Sequence, residues 1–166
     1  LVGELETAMA QAAAADLQLD LGMVGDFELF QHFNNDAAQT EAAILTRINT
    51  IDGIYSEQLN VQLRVEQLDV FTTANDPFTV ESDAGPLLDE VGVYRQNTPT
   101  QRAQGLTHLY TGRNLDTSTV GIAYLDALCS ARFGVGLSHA PSPLGCPNRA
   151  GFVASEEPLA MKVLTV

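Results

Sequence analysis

Three histidines are the residues of this chain best suited to bind a transition metal, yet their spacing does not form a site. His32, His108 and His139 are far apart in the sequence, and none has a second histidine one helical turn away. A helical zinc site needs such a pair of imidazoles, usually with a glutamate between them in an HExxH arrangement. We therefore predict no metal ligand and no catalytic residue within this chain.

Other motifs that carry chemistry are also missing from the sequence. It contains no G-x-S-x-G nucleophile elbow, no Walker loop and no G-x-G-x-x-G; residues 133–136 (F-G-V-G) supply only the first two glycines of a dinucleotide loop. The adjacent acidic pairs at 89–90 and 156–157 would point in different directions on a helix, so we interpret them as solvated charge.

Charge and hydropathy narrow the range of partners. The chain has 21 acidic and 8 basic residues, a net charge of -13, which repels phosphate backbones and argues against nucleic-acid binding. No apolar run approaches the ~20 residues that span a bilayer, so we predict no membrane span. Such an acidic surface is typical of extracellular or salt-tolerant proteins, and we expect a secreted or extracellular location.

Two cysteines, Cys129 and Cys146, bear on the redox compartment. Neither belongs to a CxxC pair, which argues against a zinc ribbon or a thioredoxin-like site. The glycines and prolines between them indicate a loop that a disulfide would stabilise in an oxidising compartment. Two buried free thiols are the alternative.

Periodicity predicts the first half of the fold. Apolar and polar residues alternate over 17–25 and again over 61–66, which is typical of strands. Between them, Asn35 or Asp36 can cap a long helix whose apolar residues recur every three or four positions as far as Leu59.

The second half continues the alternation of helices and strands. Ser82 or Asp83 opens a second helix that should end before Thr98, and strands follow at 106–110, 119–125 and 133–138. We therefore predict an α/β fold with a mixed, mostly parallel, twisted sheet of about five strands and two long helices.

The two ends suggest where the domain begins and stops. Residues 1–16 are alanine-rich and fit a linker or an N-terminal helix, and 17–166 form one domain. Ser155 can cap a last helix, but that helix stops at Val166 in the middle of an apolar face, so we expect a truncated domain. Apolar surface exposed by the truncation would favour self-association.

A family resemblance lies in the second half of the chain. Residues 108–116 (H-L-Y-T-G-R-N-L-D) and 119–129 (T-V-G-I-A-Y-L-D-A-L-C) resemble the third-to-fourth strand region of reprolysin-like, adamalysin-type metalloproteases of the metzincin group. Their pattern there is roughly L-x-T-G-x-D, then T-x-G-x-A-Y and a cysteine. Residues 23–26 are similar to the family's first strand, and 161–166 to the lead-in to its zinc helix.

The resemblance implies a function. The chain would be the N-terminal subdomain of a secreted zinc endopeptidase, ending just before the HExxH helix. Zinc would be the parent protein's cofactor, with ligands outside this chain, and the piece would be inactive alone. A peptide or protein substrate would pair with the fourth strand at Val120, Gly121, Ile122 and Ala123. Gly121 would let a second backbone approach closely. An ordinary packing strand is the alternative.

The resemblance also implies secondary sites. A structural calcium site of the family would map onto Asp20 and Asn114, although two oxygens are too few for calcium and Asn114 replaces a charged ligand. The family's cysteine at position 129 usually pairs beyond the zinc helix; here Cys146 is the available partner. A non-catalytic α/β peptide-binding domain is the rival hypothesis. An adhesion-type domain fits less well, because Asp26 begins no D-x-S-x-S run.

Overall fold

The structure, a computed structural model, describes residues 17–116 and 119–140. The expectations for residues 1–16 and 155–166, and for Cys146, lie outside these ranges. The described elements, in chain order, are β1 (Leu17–Gly25), α1 (Phe27–His32), α2 (Ala37–Leu59), β2 (Val61–Val70), α3 (Ala84–Asn97), α4 (Pro99–Arg102), β3 (Leu106–Thr111), β4 (Gly121–Ala123) and β5 (Val135–His139).

The five strands form one sheet in the order β2-β1-β3-β5-β4. β1 runs parallel to β2 and β3, and β3 runs parallel to β5. Only β4, at one edge, is antiparallel to its neighbour β5. The prediction of an α/β fold with a mostly parallel five-stranded sheet and two long helices is confirmed.

Aspartates begin the two long helices. Asp36 accepts a hydrogen bond from Gln39 N at 3.1 Å, and Asp83 accepts one from Gly85 N at 3.1 Å. Each carboxylate satisfies an amide that has no partner within the helix. The choices between Asn35 and Asp36, and between Ser82 and Asp83, are thereby settled for the aspartates.

One long helix covers each face of the sheet. On one face, α3 packs Leu87 and Val91 against Leu109 and Leu137. On the other face, α2 buries Ile44 and Ile48 among residues of β1 and β3. Apolar burial of this kind provides most of the stabilisation of a two-sided α/β layer. No helix among the described residues is long and apolar enough to cross a membrane.

Several local features differ from the sequence predictions. β2 extends to Val70 rather than ending at 66, and β5 covers Val135–His139 rather than 133–138. β4 covers only Gly121–Ala123 rather than 119–125. Its pairing with β5 ends at Ala123 and Gly136, and the chain turns at Asp126, whose φ of 53° is left-handed. The short helices α1 and α4 were not predicted; α4 begins at Pro99, where the missing amide hydrogen is tolerated.

Candidate functional site

Within the described residues, the sequence-predicted substrate residues lie at a free edge of the sheet. Gly121, Ile122 and Ala123 form β4, and Val120 precedes it, with its carbonyl accepting a 2.9 Å hydrogen bond from His139 N. Ile122 stands opposite Leu137 in the antiparallel register. No other described strand lies beyond β4.

The register decides which main-chain groups of β4 face outward. In an antiparallel pair, residues alternate between those bonded to the neighbouring strand and those whose N–H and C=O point away from it. The bond from His139 to Val120 makes that pair a bonded one, so Ile122 is bonded to β5 as well. The N–H and C=O groups of Gly121 and Ala123 therefore point to the free edge.

Gly121 has a packing reason for being a glycine. A Cβ at this position would lie 2.6 Å from the carbonyl oxygen of Leu137 and 3.0 Å from Ser138 Oγ. Contacts under about 3 Å to main chain force the backbone to move. The close approach that we attributed to a second chain is, in the described structure, an approach to β5.

Apolar side chains are exposed around this edge. Among the nine large apolar side chains exposed in the described residues, four lie in or next to β4 or between β4 and β5: Val120 (58%), Leu125 (71%), Leu128 (41%) and Phe133 (46%). The Tyr124 ring meets the Phe133 ring edge-on at 5.1 Å, and its hydroxyl donates to Asp89 Oδ1 at 2.5 Å. Exposed apolar residues gathered in this way are typical of interaction surfaces.

A buried carboxylate organises the sheet where β1 and β3 end. Asp26 caps α1 by accepting from Leu29 N at 2.8 Å, and it also accepts from Gly112 N at 2.9 Å and from the hydroxyl of Thr111. Burial raises the pKa of Asp26, while these hydrogen bonds and Arg113 act in the opposite direction. The bonds link β1, α1 and the segment after β3.

Arg113 completes this arrangement, which we call the carboxyl-end cluster (Asp26, Glu28, Asp76 and Arg113). Its guanidinium is 3.0 Å from Glu28, 3.5 Å from Asp26 and 3.8 Å from Asp76. It also donates to the carbonyls of Phe78 and Val80, both at 2.7 Å. The main-chain carbonyl of Arg113 lies 2.6 Å from the Nδ1 atom of His139 at the end of β5. The start of the β3–β4 connection is thus held to several segments.

A second buried arginine lies where β3 and β5 begin. Arg95 donates to the carbonyls of Ser130 (3.0 Å), Gln101 (2.7 Å) and Gln104 (2.6 Å) and to the hydroxyl of Thr107 (2.7 Å). We call these residues the amino-end cluster. Burial lowers the pKa of Arg95. Because Ser130 belongs to the β4–β5 connection, the two clusters hold the chain on either side of β4.

The described residues do not fit a zinc site. No group of three or more His, Cys, Asp or Glu side chains within residues 17–116 and 119–140 is placed to hold a metal ion. His108 faces the α2 side, with Nε2 3.0 Å from Ser138 Oγ. His139 pairs with Thr111, three residues along β3 from His108, and therefore faces the other way.

The proposed calcium ligands are not brought together either. Asp20 lies in the first half of β1, where its carbonyl accepts from Gly105 N just before β3. Asn114 follows the far end of β3, since Leu21 pairs with Leu106 and Gly25 with Tyr110. The length of β3, on the order of 15 Å or more, separates the two residues.

Cys129 is exposed and has a left-handed φ of 60°. Its amide donates to the carbonyl of Gly105 at 2.9 Å, which fixes its main chain against the segment before β3. Because Cys146 lies outside the described residues, the pairing of Cys129 with Cys146 stays a prediction.

Sequence reasoning missed both arginine clusters. The available signal was Asp26, an N-cap type of residue followed by Glu28 in the first turn and by apolar residues at 27, 29 and 30, which marks a helix start. No local pattern identifies the partners of Arg95 or Arg113, because these lie in other elements.

Comparisons with known proteins agree with the fold. The family model described as reprolysin (M12B) family zinc metalloprotease matches residues 18–154. The snake venom metalloproteinase trimerelysin-2 of Protobothrops flavoviridis is 26% identical over 126 residues, which is 75% of this chain and 62% of that protein. Disintegrin and metalloproteinase domain-containing protein 11 of Homo sapiens is 27% identical over 120 residues, 72% of this chain and 15% of that protein.

A solved structure supports the fold alone. A chain from a structure titled "Structure of a chaperone-substrate complex" superimposes with a TM-score of 0.55 at 15% identity, covering 80% of this chain and 21% of that one. The chain spans less than two thirds of the length of each of these relatives. Since the family match extends over most of the sequence, the chain belongs to the reprolysin (M12B) family of zinc metalloproteases.

Proposed function

We propose that this chain is the substrate-binding part of a secreted zinc endopeptidase and that its edge strand β4 pairs with the peptide to be cleaved. Family membership supports the protease class. The observation that carries the proposal is the free edge of β4, where the main-chain groups of Gly121 and Ala123 face outward.

Peptide binding at this edge follows from the hydrogen-bonding pattern. An extended peptide that adds to β4 gains two N–H donors and two C=O acceptors from Gly121 and Ala123. Such bonds do not depend on peptide sequence, and they hold the main chain extended. The arginine clusters on either side keep β4 in place, so that little ordering is needed when the peptide binds.

Hydrolysis requires metal ligands that the described residues do not provide. We therefore propose that zinc is held by residues elsewhere in the parent protein and that this chain alone does not cleave peptides. The calcium site and the self-association of the truncated chain likewise stay proposals, and the separation of Asp20 from Asn114 lends the calcium site no support.

Replacing Ala123 by proline tests the edge directly. Proline removes the outward amide hydrogen but is tolerated on an edge strand when that hydrogen faces solvent. We expect Ala123→Pro to weaken binding of a labelled extended peptide by about five- to tenfold, the equivalent of one lost hydrogen bond. Ala123→Ser keeps the amide and serves as the control, with binding within about twofold.

Fluorescence anisotropy gives the affinities, and thermal unfolding shows whether each variant is folded. Equal affinity in the wild type and in a folded Ala123→Pro variant would show that the peptide does not pair with β4.

The catalytic part of the proposal needs a longer chain. This chain is compared with one extended by about 60 residues of the parent, enough for an HExxH helix and a third ligand. We expect zinc binding and chelator-sensitive cleavage only in the extended form. Peptide binding without zinc or cleavage in either form would support the non-catalytic alternative, and cleavage by the shorter chain would contradict the division of roles.

A further inference from the structure

The segment that follows β4 has the composition of a recognition surface. Three of its large apolar side chains, Leu125, Leu128 and Phe133, are 71%, 41% and 46% exposed. We call residues 125–133 the apolar connection. Because Ser130 is anchored by Arg95 and Cys129 by Gly105, these side chains are presented from a fixed main chain rather than from a loose loop.

Carboxylates accompany this apolar surface. Asp126 is exposed within the connection, and Asp89 is bonded to Tyr124 at the end of β4. Asp116 is exposed shortly before the strand. The connection's own basic residue, Arg132, lies over the Phe133 ring with its guanidinium carbon 5.6 Å from the ring centroid. The chain as a whole carries a net charge of -13, so this edge presents apolar surface in a negative field.

From this combination we infer that the apolar connection selects the peptide that pairs with β4, favouring a large apolar side chain next to basic residues. The inference rests on the proposed pairing with β4. A peptide strand that extends past Ala123 would leave β4 at the end where the connection begins, since the main chain leads directly from Ala123 into Tyr124 and Leu125. Alternate side chains of the peptide project to the same face and reach this surface.

The two parts of the preference have different physical signatures. Burial of a large apolar side chain against exposed leucine and phenylalanine is not screened by salt, and sodium chloride changes it little. Attraction of basic residues to exposed carboxylates is weakened by salt, because the Debye length falls from about 10 Å at 0.1 M to about 3 Å at 1 M. Binding measured at low and at high salt therefore distinguishes the preference for an apolar side chain from the preference for basic residues.

Four peptides of about eight residues form the first test. At the position beyond the paired segment, two peptides carry leucine and two carry alanine. Within each pair, one peptide has lysine next to that position and the other has glutamate. We expect the leucine–lysine peptide to bind most tightly and the alanine–glutamate peptide most weakly. The leucine effect should be about fivefold at any salt concentration. The lysine preference should be about threefold at low salt and should disappear near 1 M.

Variants of the protein show which residues cause the preferences for leucine and for lysine. Leu125→Ser should remove most of the leucine effect, whereas Leu45→Ser, at a solvent-facing position of α2, should leave it unchanged. Asp126→Asn removes a charge yet suits the left-handed φ of 53° at this position, so it should reduce the lysine preference without unfolding the chain. Glu57→Gln, exposed on α2, is the matched charge control.

The outcomes separate this inference from the proposed function. If Ala123→Pro weakens all four peptides but the wild type binds them equally, the strand pairing holds and the selection is overturned. If Ala123→Pro has no effect on any of the peptides, the pairing itself fails. Leucine and lysine preferences that survive both Leu125→Ser and Asp126→Asn would place the selecting surface elsewhere and overturn the inference.

Discussion

Two buried arginines stabilise opposite ends of this sheet, and they do so with different partners. Arg113, at the carboxyl ends of β1 and β3, is surrounded by three carboxylates. Arg95, where β3 and β5 begin, donates to main-chain carbonyls and to one hydroxyl, with no carboxylate among its partners in the described residues. In the carboxyl-end cluster, carboxylates balance the charge of the arginine. In the amino-end cluster, the dipoles of main-chain carbonyls do so.

The difference predicts different responses to pH. Carbonyl groups do not titrate, so the amino-end cluster should contribute equally between about pH 5 and about pH 7. The carboxyl-end cluster contains Asp26 and Glu28, whose pKa values are both raised by burial. Its contribution should therefore change with pH. Both clusters hold connections to β4, so the comparison also shows how the candidate edge is positioned.

The largest effect is expected for Arg95→Met. The substitution leaves the carbonyls of Ser130, Gln101 and Gln104 buried without their donors, and we expect a loss of about 4 kcal/mol in the free energy of unfolding. Urea denaturation measures it. Arg64→Met, whose side chain is 61% exposed and pairs with Glu66, is the control and should cost under about 1 kcal/mol. An equal cost for the two variants would show that the amino-end cluster does not stabilise the fold.

Arg113→Met should cost about 3 kcal/mol near pH 7, because it leaves Asp26 charged, buried and without its cation. A raised pKa means that folded Asp26 holds its proton more tightly than the unfolded chain, where the ordinary value is 3.8. Stability from this group therefore increases as pH falls through the raised pKa toward 3.8. Loss of Arg113 raises that pKa further.

The cost of Arg113→Met should consequently be smaller at about pH 5 than at about pH 7, while that of Arg95→Met stays constant. Urea denaturation of both variants at the two pH values tests the comparison. If the two costs change in parallel with pH, the distinction between the clusters is wrong.

His108 contributes an opposing pH dependence that must be separated from that of Asp26. Burial lowers the pKa of His108 from 6.5 to about 4. The unfolded chain then binds the proton more tightly, so stability is lost as pH falls from 6.5 toward 4, by up to about 3 kcal/mol if the residue stays buried. His108→Gln should flatten the stability profile in this window. An unchanged profile in His108→Gln would show that other groups control acid unfolding.

The sequence predicted the elements better than the contacts between them. β1 and β2 follow from alternation, and α2 and α3 follow from caps and apolar spacing, all of which are local signals. Arg113, by contrast, bonds to Glu28 and Phe78, which are 85 and 35 residues away. No periodicity reaches that far, and a lone Asp or Arg in a sequence does not name its partner.

The candidate site illustrates the same limit. The family resemblance located residues 120–123, but it did not say which main-chain groups are free. That depends on the register with β5, set by one bond from His139 to Val120. The end of β4 likewise depends on where its pairing with β5 stops, at Ala123 and Gly136, and no local pattern in 119–125 marks that point.

The smallest expected effect is the difference between two helix-capping aspartates, one that belongs to the carboxyl-end cluster and one whose side chain bonds to residues of its own helix. Asp26 and Asp36 both cap helices, at α1 and α2 respectively. Asp36 is partly exposed and serves its own helix, so Asp36→Ala should cost about 1 kcal/mol in the free energy of unfolding, the usual value for a lost cap. Asp26 also accepts from Thr111 and Gly112, so Asp26→Ala should cost about 2 kcal/mol. Arg113 limits the loss in Asp26→Ala, because Glu28 and Asp76 still balance the charge of Arg113.

Thermal and urea unfolding of the two variants provide the comparison. Equal costs would mean that the bonds from Asp26 to Thr111 and Gly112 add nothing to its role as a cap.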